Sequence, residues 1–385
     1  MMVQKHILWL PSWYPSKVYP HLAPFTQRWA LAEAIYDKIT VLALVETEEE
    51  NSLEATVINE NMTEVRVFYL KSKYTLIRLS RMMVAGLKGY KYVSRKIGKP
   101  DLLHLCVVYP VGLVAIFLSY FHALPLVVSE HWTGYKKEDG NFRGWGMKTL
   151  AGLVAHRAKA IVALNDTMAK AMQRCGLKGK YHFVPNVVDV SKIKLPEKRE
   201  NKVFKFIHVS GLDDRQKYIS GLLNGIHLLA KKRKDFIIDI IGGNENIEQF
   251  KEKSELLGIC NIINFLGPMS HKEVLQKMAE ADAFVLFSNF ENLPCVILEA
   301  LALELPVIAT ETGNMNDWIN KTNGLLIEPG DIKALVEAMD YVIVNFEKFD
   351  RDLSRNLIQQ KCNPKVVGRL FAETHAAVIS ESKRG

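Results

Sequence analysis

Residues 288–314 read SNFENLPCVILEALALELPVIATETGN. A strand ends at Phe287, a short polar turn follows, and a helix begins near Pro294, a place where proline is tolerated because its missing N–H would have had no partner. PVIAT then opens another strand. Strand, turn, helix and strand in this order form the repeating unit of a doubly wound α/β fold, whose ligands bind at the carboxyl ends of the strands. A helix N-terminus at that edge offers free N–H groups and a partial positive charge to a phosphate. Glu291 stands in the turn and Glu299 eight residues later, two turns into the helix. Alone, the two glutamates read as a solvated helical face. In this setting they can accept hydrogen bonds from ligand hydroxyls.

Working outward, residues 208–226, HVSGLDDRQKYISGLLNGI, repeat the pattern. A strand ends at Ser210 and a helix opens near Ile219, with Arg215 and Lys217 in the turn between them. Further strands are expected in FIIDIIG, IINFLG, AFVLFS and GLLIEP of this half. The first half offers HILWL, ITVLALV, EVRVFYL, LLHLCVV, PLVVSE, AIVAL and YHFVPN. At 385 residues the chain exceeds what one hydrophobic core usually supports. The polar, proline-containing stretch 190–202 is read as the linker, giving domains 1–195 and 196–363. The helical pattern of 364–385 is expected to pack back on the first domain.

Composition narrows the class. Hydrophobic residues at 48% and charged residues at 24% describe a globular protein. The five cysteines are odd in number and lie far apart, so they read as reduced and not as metal ligands. Met1–Leu10 lacks a signal-peptide pattern, which makes the cytoplasm the expected compartment. Leu102–Ser129 contains no Asp, Glu, Lys or Arg, yet Pro110 and Pro125 divide it into a strand, a helix and a strand, not a membrane span. IGGNE at 241–245 is not a full G-x-G-x-x-G, so no dinucleotide fingerprint is present, and no D-x-D metal motif follows a strand.

The net charge of +8 is concentrated in one segment. Lys71–Lys99 holds nine Lys or Arg and no acid. On a helical wheel Leu76, Leu79, Met83, Leu87, Tyr90, Val93 and Ile97 share one arc and Arg78, Arg81, Lys88, Lys91 and Arg95 another, with Ile77 and Val84 straying onto the basic side. Gly86 and Gly89 read as weakening the helix. The segment is expected to face an anionic membrane or a lipid acceptor, or else simply water. Nothing aromatic or motif-like accompanies it that would indicate nucleic acid.

The two turns, their glutamates and the lysine resemble glycosyltransferase family 4, retaining enzymes of the GT-B fold, over about Ile7–Phe371. The resemblance implies an α/β protein of two Rossmann-like doubly wound domains with the active site in the cleft between them. It implies a nucleotide diphosphate sugar donor held by the second domain, a glycan or lipid-linked acceptor, and no cofactor or metal. Glu299 would then bind ribose, Glu291 the transferred hexose, and Lys217 the donor diphosphate. Many members carry an arginine where Gly211 stands, and Arg215 is near enough to replace it. The site would further include Phe290, Asn292, Leu293 and Pro294 of the turn, helix N–H groups at Cys295 and Val296, and backbone near Leu266 and Met269 for the base. His131 in SEHWTGY matches a family histidine near the transferred sugar and acceptor, so Lys217, Glu291 and His131 are the expected catalytic residues. His104, inside a buried strand, reads as a core histidine. A sugar-nucleotide 2-epimerase of the same fold, a catalytically inactive nucleotide-binding partner protein and a two-lobed solute-binding protein are the competing readings; the last would need an export signal.

Overall fold

The computed structural model describes residues 4–193, 195, 203–243 and 247–384. The chain forms two compact units, Met1–Val187 with Pro364–Gly385, and Val188–Asn363. The changeover falls before residue 195 because Val188 and Val190 already serve the second unit. The Val188 N–H donates to the Cys362 carbonyl (2.9 Å), and the Arg355 guanidinium donates to the carbonyls of Val190 and Ile193 (3.1 and 3.2 Å). Most of the linker expected at 190–202, and the end of the glycine stretch at 241–245, lie outside the described residues.

In the first unit β1 (His6–Pro11), α1 (Pro24–Glu33), β2 (Lys38–Thr47), β3 (Ser52–Asn59), β4 (Met62–Leu70), α2 (Thr75–Lys96), β5 (Leu102–Cys106), α3 (Gly112–Phe121), β6 (Leu126–Ser129), α4 (Trp145–Arg157), β7 (Ala158–Ala163), α5 (Asp166–Arg174) and β8 (Tyr181–Phe183) follow one another. The sheet order is β3-β4-β2-β1-β5-β6-β7-β8, parallel except for β3 against β4. Strands buried on both faces are apolar along most of their length, and β1, β5 and β6 are buried throughout, their polar exceptions His6, His104 and Ser129 being hydrogen-bonded. Leu102–Ser129 is the expected strand–helix–strand unit. Among the described residues no helix is long and apolar enough to cross a membrane.

The buried side of α2 differs from the wheel. Met82, Ala85, Gly86, Gly89, Tyr90 and Val93 face inward, while Leu76 is 82% exposed. The glycines set this phase: a Cβ on Gly89 would stand 2.3 Å from Leu42 Cδ1, and one on Gly86 2.4 Å from Val114 Cγ1. They let the helix lie close on the sheet, so they belong to its contact face instead of merely weakening it.

The second unit runs β9 (Phe204–Ser210), α6 (Asp214–Lys217), α7 (Ile219–Lys232), β10 (Phe236–Gly242), α8 (Ile247–Leu256), β11 (Ile263–Gly267), α9 (His271–Ala279), β12 (Ala283–Leu286), α10 (Cys295–Ala302), β13 (Val307–Thr310), β14 (Gly324–Ile327), α11 (Ile332–Val344) and α12 (Arg351–Lys361). All its strands are parallel in the order β11-β10-β9-β12-β13-β14. That is the doubly wound order in which the connections reverse direction between the first and fourth strands. Leu222, Ile226 and Leu229 recur at helical spacing on α7 and close, with Leu335 and Met339 of α11, over Phe206, Ile238 and Val285 of the sheet. The last helix, α13 (Pro364–Arg384), returns to the first unit and packs on α1.

Candidate functional site

The reversal point of the second sheet lies between β9 and β12, and the turns after these two strands are stitched together. His208, on β9, is fully buried, and burial lowers its pKa to about 4, so its ring is neutral. Its Nδ1–H donates to the Val285 carbonyl of β12 (2.9 Å), which leaves Nε2 to accept from the Ser210 hydroxyl (2.8 Å). Ser210 Oγ in turn accepts from the Leu212 N–H (3.1 Å). The chain then makes the single turn α6, capped by the Asp213 carboxylate on the Arg215 N–H (3.0 Å). Tyr218, with φ of 44°, breaks α6 from α7. The sequence foresaw the helix at Ile219 and a turn before it, but not that this turn is itself helical and presents Lys217 at its end.

On the β12 side, the Thr310 hydroxyl donates to the Ser288 carbonyl (2.7 Å), the Asn289 N–H donates to the Gln216 carbonyl (2.7 Å), and the Asn289 side chain donates to the Arg215 carbonyl (2.9 Å). Glu291 is thereby buried against the β9 turn. It pairs through Oε1 with the Lys217 ammonium, accepts from Ser288 Oγ (2.8 Å), and through Oε2 from Gln216 Nε2 (3.3 Å). Gly313, at φ of 60°, lies flat on the Glu291–Asn292 peptide: a Cβ there would come within 2.1 Å of the Asn292 carbonyl oxygen. Phe290, Asn292 and Leu293 are buried, Pro294 is the N-cap of α10, and Cys295 and Val296 form its first turn, partly exposed. Arg215 sits 5.8 Å from the Phe290 ring centroid. Gly211 is exposed, with nothing within 4 Å of where a Cβ would stand.

Glu299 is buried in the second turn of α10, and His271 Nε2 meets its Oε1 at 2.8 Å. His271 opens α9 directly after a capping box formed by Ser270 and Glu273. Leu266 on β11 and Met269 just before His271 are partly buried at the same sheet edge. His271 therefore joins the Leu266–Met269 segment to Glu299. Sequence reading missed it, and its one signal is the helix-opening position in SHKE.

His131 belongs to the first unit, where its ring stacks on Phe25 (3.7 Å between centroids) and lies 4.0 Å from Trp29. Burial holds its pKa well below that of a free histidine. The neighbouring Glu130 is buried, accepts from the Val108 N–H (2.8 Å) and the Tyr135 hydroxyl (2.7 Å), and is pushed up by burial to about 7. A groove of about 390 Å³ opens at the carboxyl ends of β2 and β4, lined by Lys17, Tyr19, Glu46, Glu48, Glu49 and Lys71. His104 is a core histidine, hydrogen-bonded to Ser129 Oγ and His375 (2.8 Å each).

Comparison with known proteins adds the lineage. The family model described as Glycosyl transferases group 1 matches residues 165–360, and that of Glycosyltransferase Family 4 matches residues 31–192. The chain belongs to the group 1 glycosyltransferases. This glycosyltransferase chain is 23% identical to the glycogen synthase of Mycobacterium tuberculosis over 287 residues, 70% of its own length and 66% of that relative's. The chain thus spans slightly under two thirds of that relative. Among solved structures, sucrose-phosphate synthase from Thermosynechococcus elongatus superposes with a TM-score of 0.79 at 15% identity, covering 98% of this chain and 100% of the other. Anabaena HepE in complex with UDP-glucose gives a TM-score of 0.74 at 16% identity, covering 97% and 100%. The fold is GT-B.

Proposed function

We propose that the chain is a metal-independent, retaining glycosyltransferase that moves a hexose from a nucleotide diphosphate sugar to a glycan or lipid-linked acceptor in cell-surface polysaccharide or glycolipid synthesis. The observation that carries this is the Lys217–Glu291 pair, set at the strand reversal beside the first turn of α10. Lys217 and the N–H groups at Cys295 and Val296 supply positive potential for a diphosphate, with Arg215 adding charge where Gly211 has none. Lys217 would exchange its carboxylate for the diphosphate, and Glu291 would then turn to hydroxyls of the hexose. Glu299, oriented by His271, accepts from ribose, and backbone near Leu266 and Met269 meets the base. Phe290, Asn292, Leu293 and Pro294 shape the turn around the sugar, while the first unit supplies His131 and the acceptor surface.

In the transfer, the bond from the anomeric carbon to the leaving phosphate oxygen breaks as the bond to the acceptor oxygen forms on the same face. The acceptor's proton passes to the departing diphosphate, so no side-chain nucleophile is required. The UDP-glucose complex of Anabaena HepE favours a uridine donor. The test is a thermal-shift screen of UDP, GDP, ADP and their sugars, followed by turnover with acceptor in chelator and anomeric assignment of the product. Saturating donor at about 100 times its Kd should stabilise the protein by about 2.7 kcal/mol. No stabilisation by any nucleotide, or epimerisation of the donor without acceptor, would displace the reading.

A further inference from the structure

The layer that three adjacent helices of the first unit, α2, α3 and α4, form on its sheet carries no carboxylate. The helices α2, α3 and α4 follow β4, β5 and β6 as crossovers of a parallel sheet and lie side by side. Gly86 of α2 abuts Val114 of α3, and Gly112 of α3 abuts Leu150 and Val154 of α4. Across Thr75–Lys96, Gly112–Phe121 and Trp145–Arg157 there is no Asp or Glu.

The outward side of this layer combines two features that are costly together in water. On α2, Ile77, Arg81, Val84, Lys88, Lys91 and Arg95 recur at alternating spacings of four and three and so form one stripe along the helix. All six are exposed except Arg81, which is partly buried as its guanidinium reaches back to the carbonyls of Leu70 and Lys71. The two apolar residues that stray from the inward arc of the wheel thus face outward. Among the described residues none of Arg78, Lys88, Lys91 and Arg95 joins an ion pair. The same three helices carry large apolar side chains in the open: Leu76 on α2 is 82%, Phe121 on α3 72% and Trp145 on α4 83% exposed, and Tyr120 and Leu153 are exposed as well.

We propose that this face seats the protein on an anionic lipid bilayer. Phospholipid headgroups complement a surface of cations without acids, and the region beneath them takes up Leu, Trp, Tyr and Phe side chains. A second copy of the chain would present the same unbalanced positive charge and be repelled. The proposal concerns the first unit alone and is independent of the donor reading, which rests on residues of the second.

The experiment is co-sedimentation of the full chain with phosphatidylcholine vesicles, with and without an equal part of phosphatidylglycerol, at low and high salt. Binding is expected with the anionic vesicles only, weakening as salt rises. The triple variant Lys88→Gln, Lys91→Gln, Arg95→Gln should lower partitioning by about fivefold per charge, roughly a hundredfold together. The triple variant Leu76→Ser, Phe121→Ser, Trp145→Ser should abolish the binding that survives high salt. Both should keep the wild-type melting temperature and nucleotide-induced thermal shift, which separates this result from a failure of the donor site. Equal binding to neutral vesicles, or binding insensitive to the glutamine variant, overturns the proposal. So does wild-type binding to a single-stranded oligonucleotide without binding to anionic vesicles.

Discussion

At the scale of single residues, the roles proposed for the two glutamates differ with what already holds each of them. Glu299 is buried and has His271 to orient it, so Glu299→Ala should weaken donor binding, by about 1.5–3 kcal/mol for a lost charge-assisted hydrogen bond. Glu291→Ala should mainly depress turnover; calorimetry with nucleotide beside steady-state kinetics separates the two, and unchanged behaviour in both would remove the assignment. For Lys217→Ala the expected fall in turnover is about two to three orders of magnitude. Arg215→Ala should cost less, and Gly211→Arg, which has open space around it, should restore what that variant loses. A silent Arg215→Ala would mean that Lys217 works without an arginine. Lys217, Glu291 and Glu299 were legible in the sequence because strand, turn and helix fix their positions locally. His271 was not, since its meeting with Glu299 depends on the start of one helix reaching another across an intervening strand, 28 residues apart.

At the scale of elements, apolar runs announced every strand but β3. Its residues are exposed or partly so over Ser52–Asn59 and it pairs only at the sheet edge, so no buried face imposed a pattern on it. The wheel misplaced the inward side of α2 for a related reason: a hydrophobicity count gives glycine no weight, whereas packing here gives Gly86 and Gly89 the closest approach. Helix α13 shows what such contacts hold. Gly368 lies so near α1 that a Cβ would stand 2.0 Å from the Ala32 carbonyl oxygen, and Phe371 meets the Trp9 and Trp29 rings edge-on. His375, fully buried, bridges Glu33 of α1 and His104 of β5. His375→Ala would leave the buried Glu33 carboxyl with the Trp9 Nε1–H (2.7 Å) but without its imidazole partner, at a cost of about 1–3 kcal/mol, and Gly368→Val should cost about 1–3 kcal/mol by overpacking. Denaturant melts read both; stability unchanged in either variant would show that α13 is not a necessary part of the first unit.

At the scale of the whole molecule, buried histidines set the response to acid. Burial lowers the pKa of His104, His131 and His208, so below about pH 6.5 the unfolded chain takes up protons that the folded one refuses. Their contribution to stability is complete above that pH and is lost on acidification. Glu130 opposes them: pushed up to about 7, it binds a proton in the folded state between its ordinary value of 4.5 and 7, so its contribution grows as pH falls through that window. Thermal midpoints should therefore decline from pH 7 to pH 5, and more steeply in Glu130→Gln, which removes an opposing contribution of about 3 kcal/mol. A Glu130→Gln profile parallel to wild type would show that this carboxyl does not titrate there.

The return of α13 to the first unit also orders events during synthesis. The second unit is continuous in sequence and can close as soon as Asn363 has left the ribosome, whereas the first unit, begun earlier, lacks the helix that covers Trp9, Trp29 and Glu33 until α13 has followed. The half translated first is thus the half completed last, and through that interval its unfinished apolar face is what a chaperone would meet.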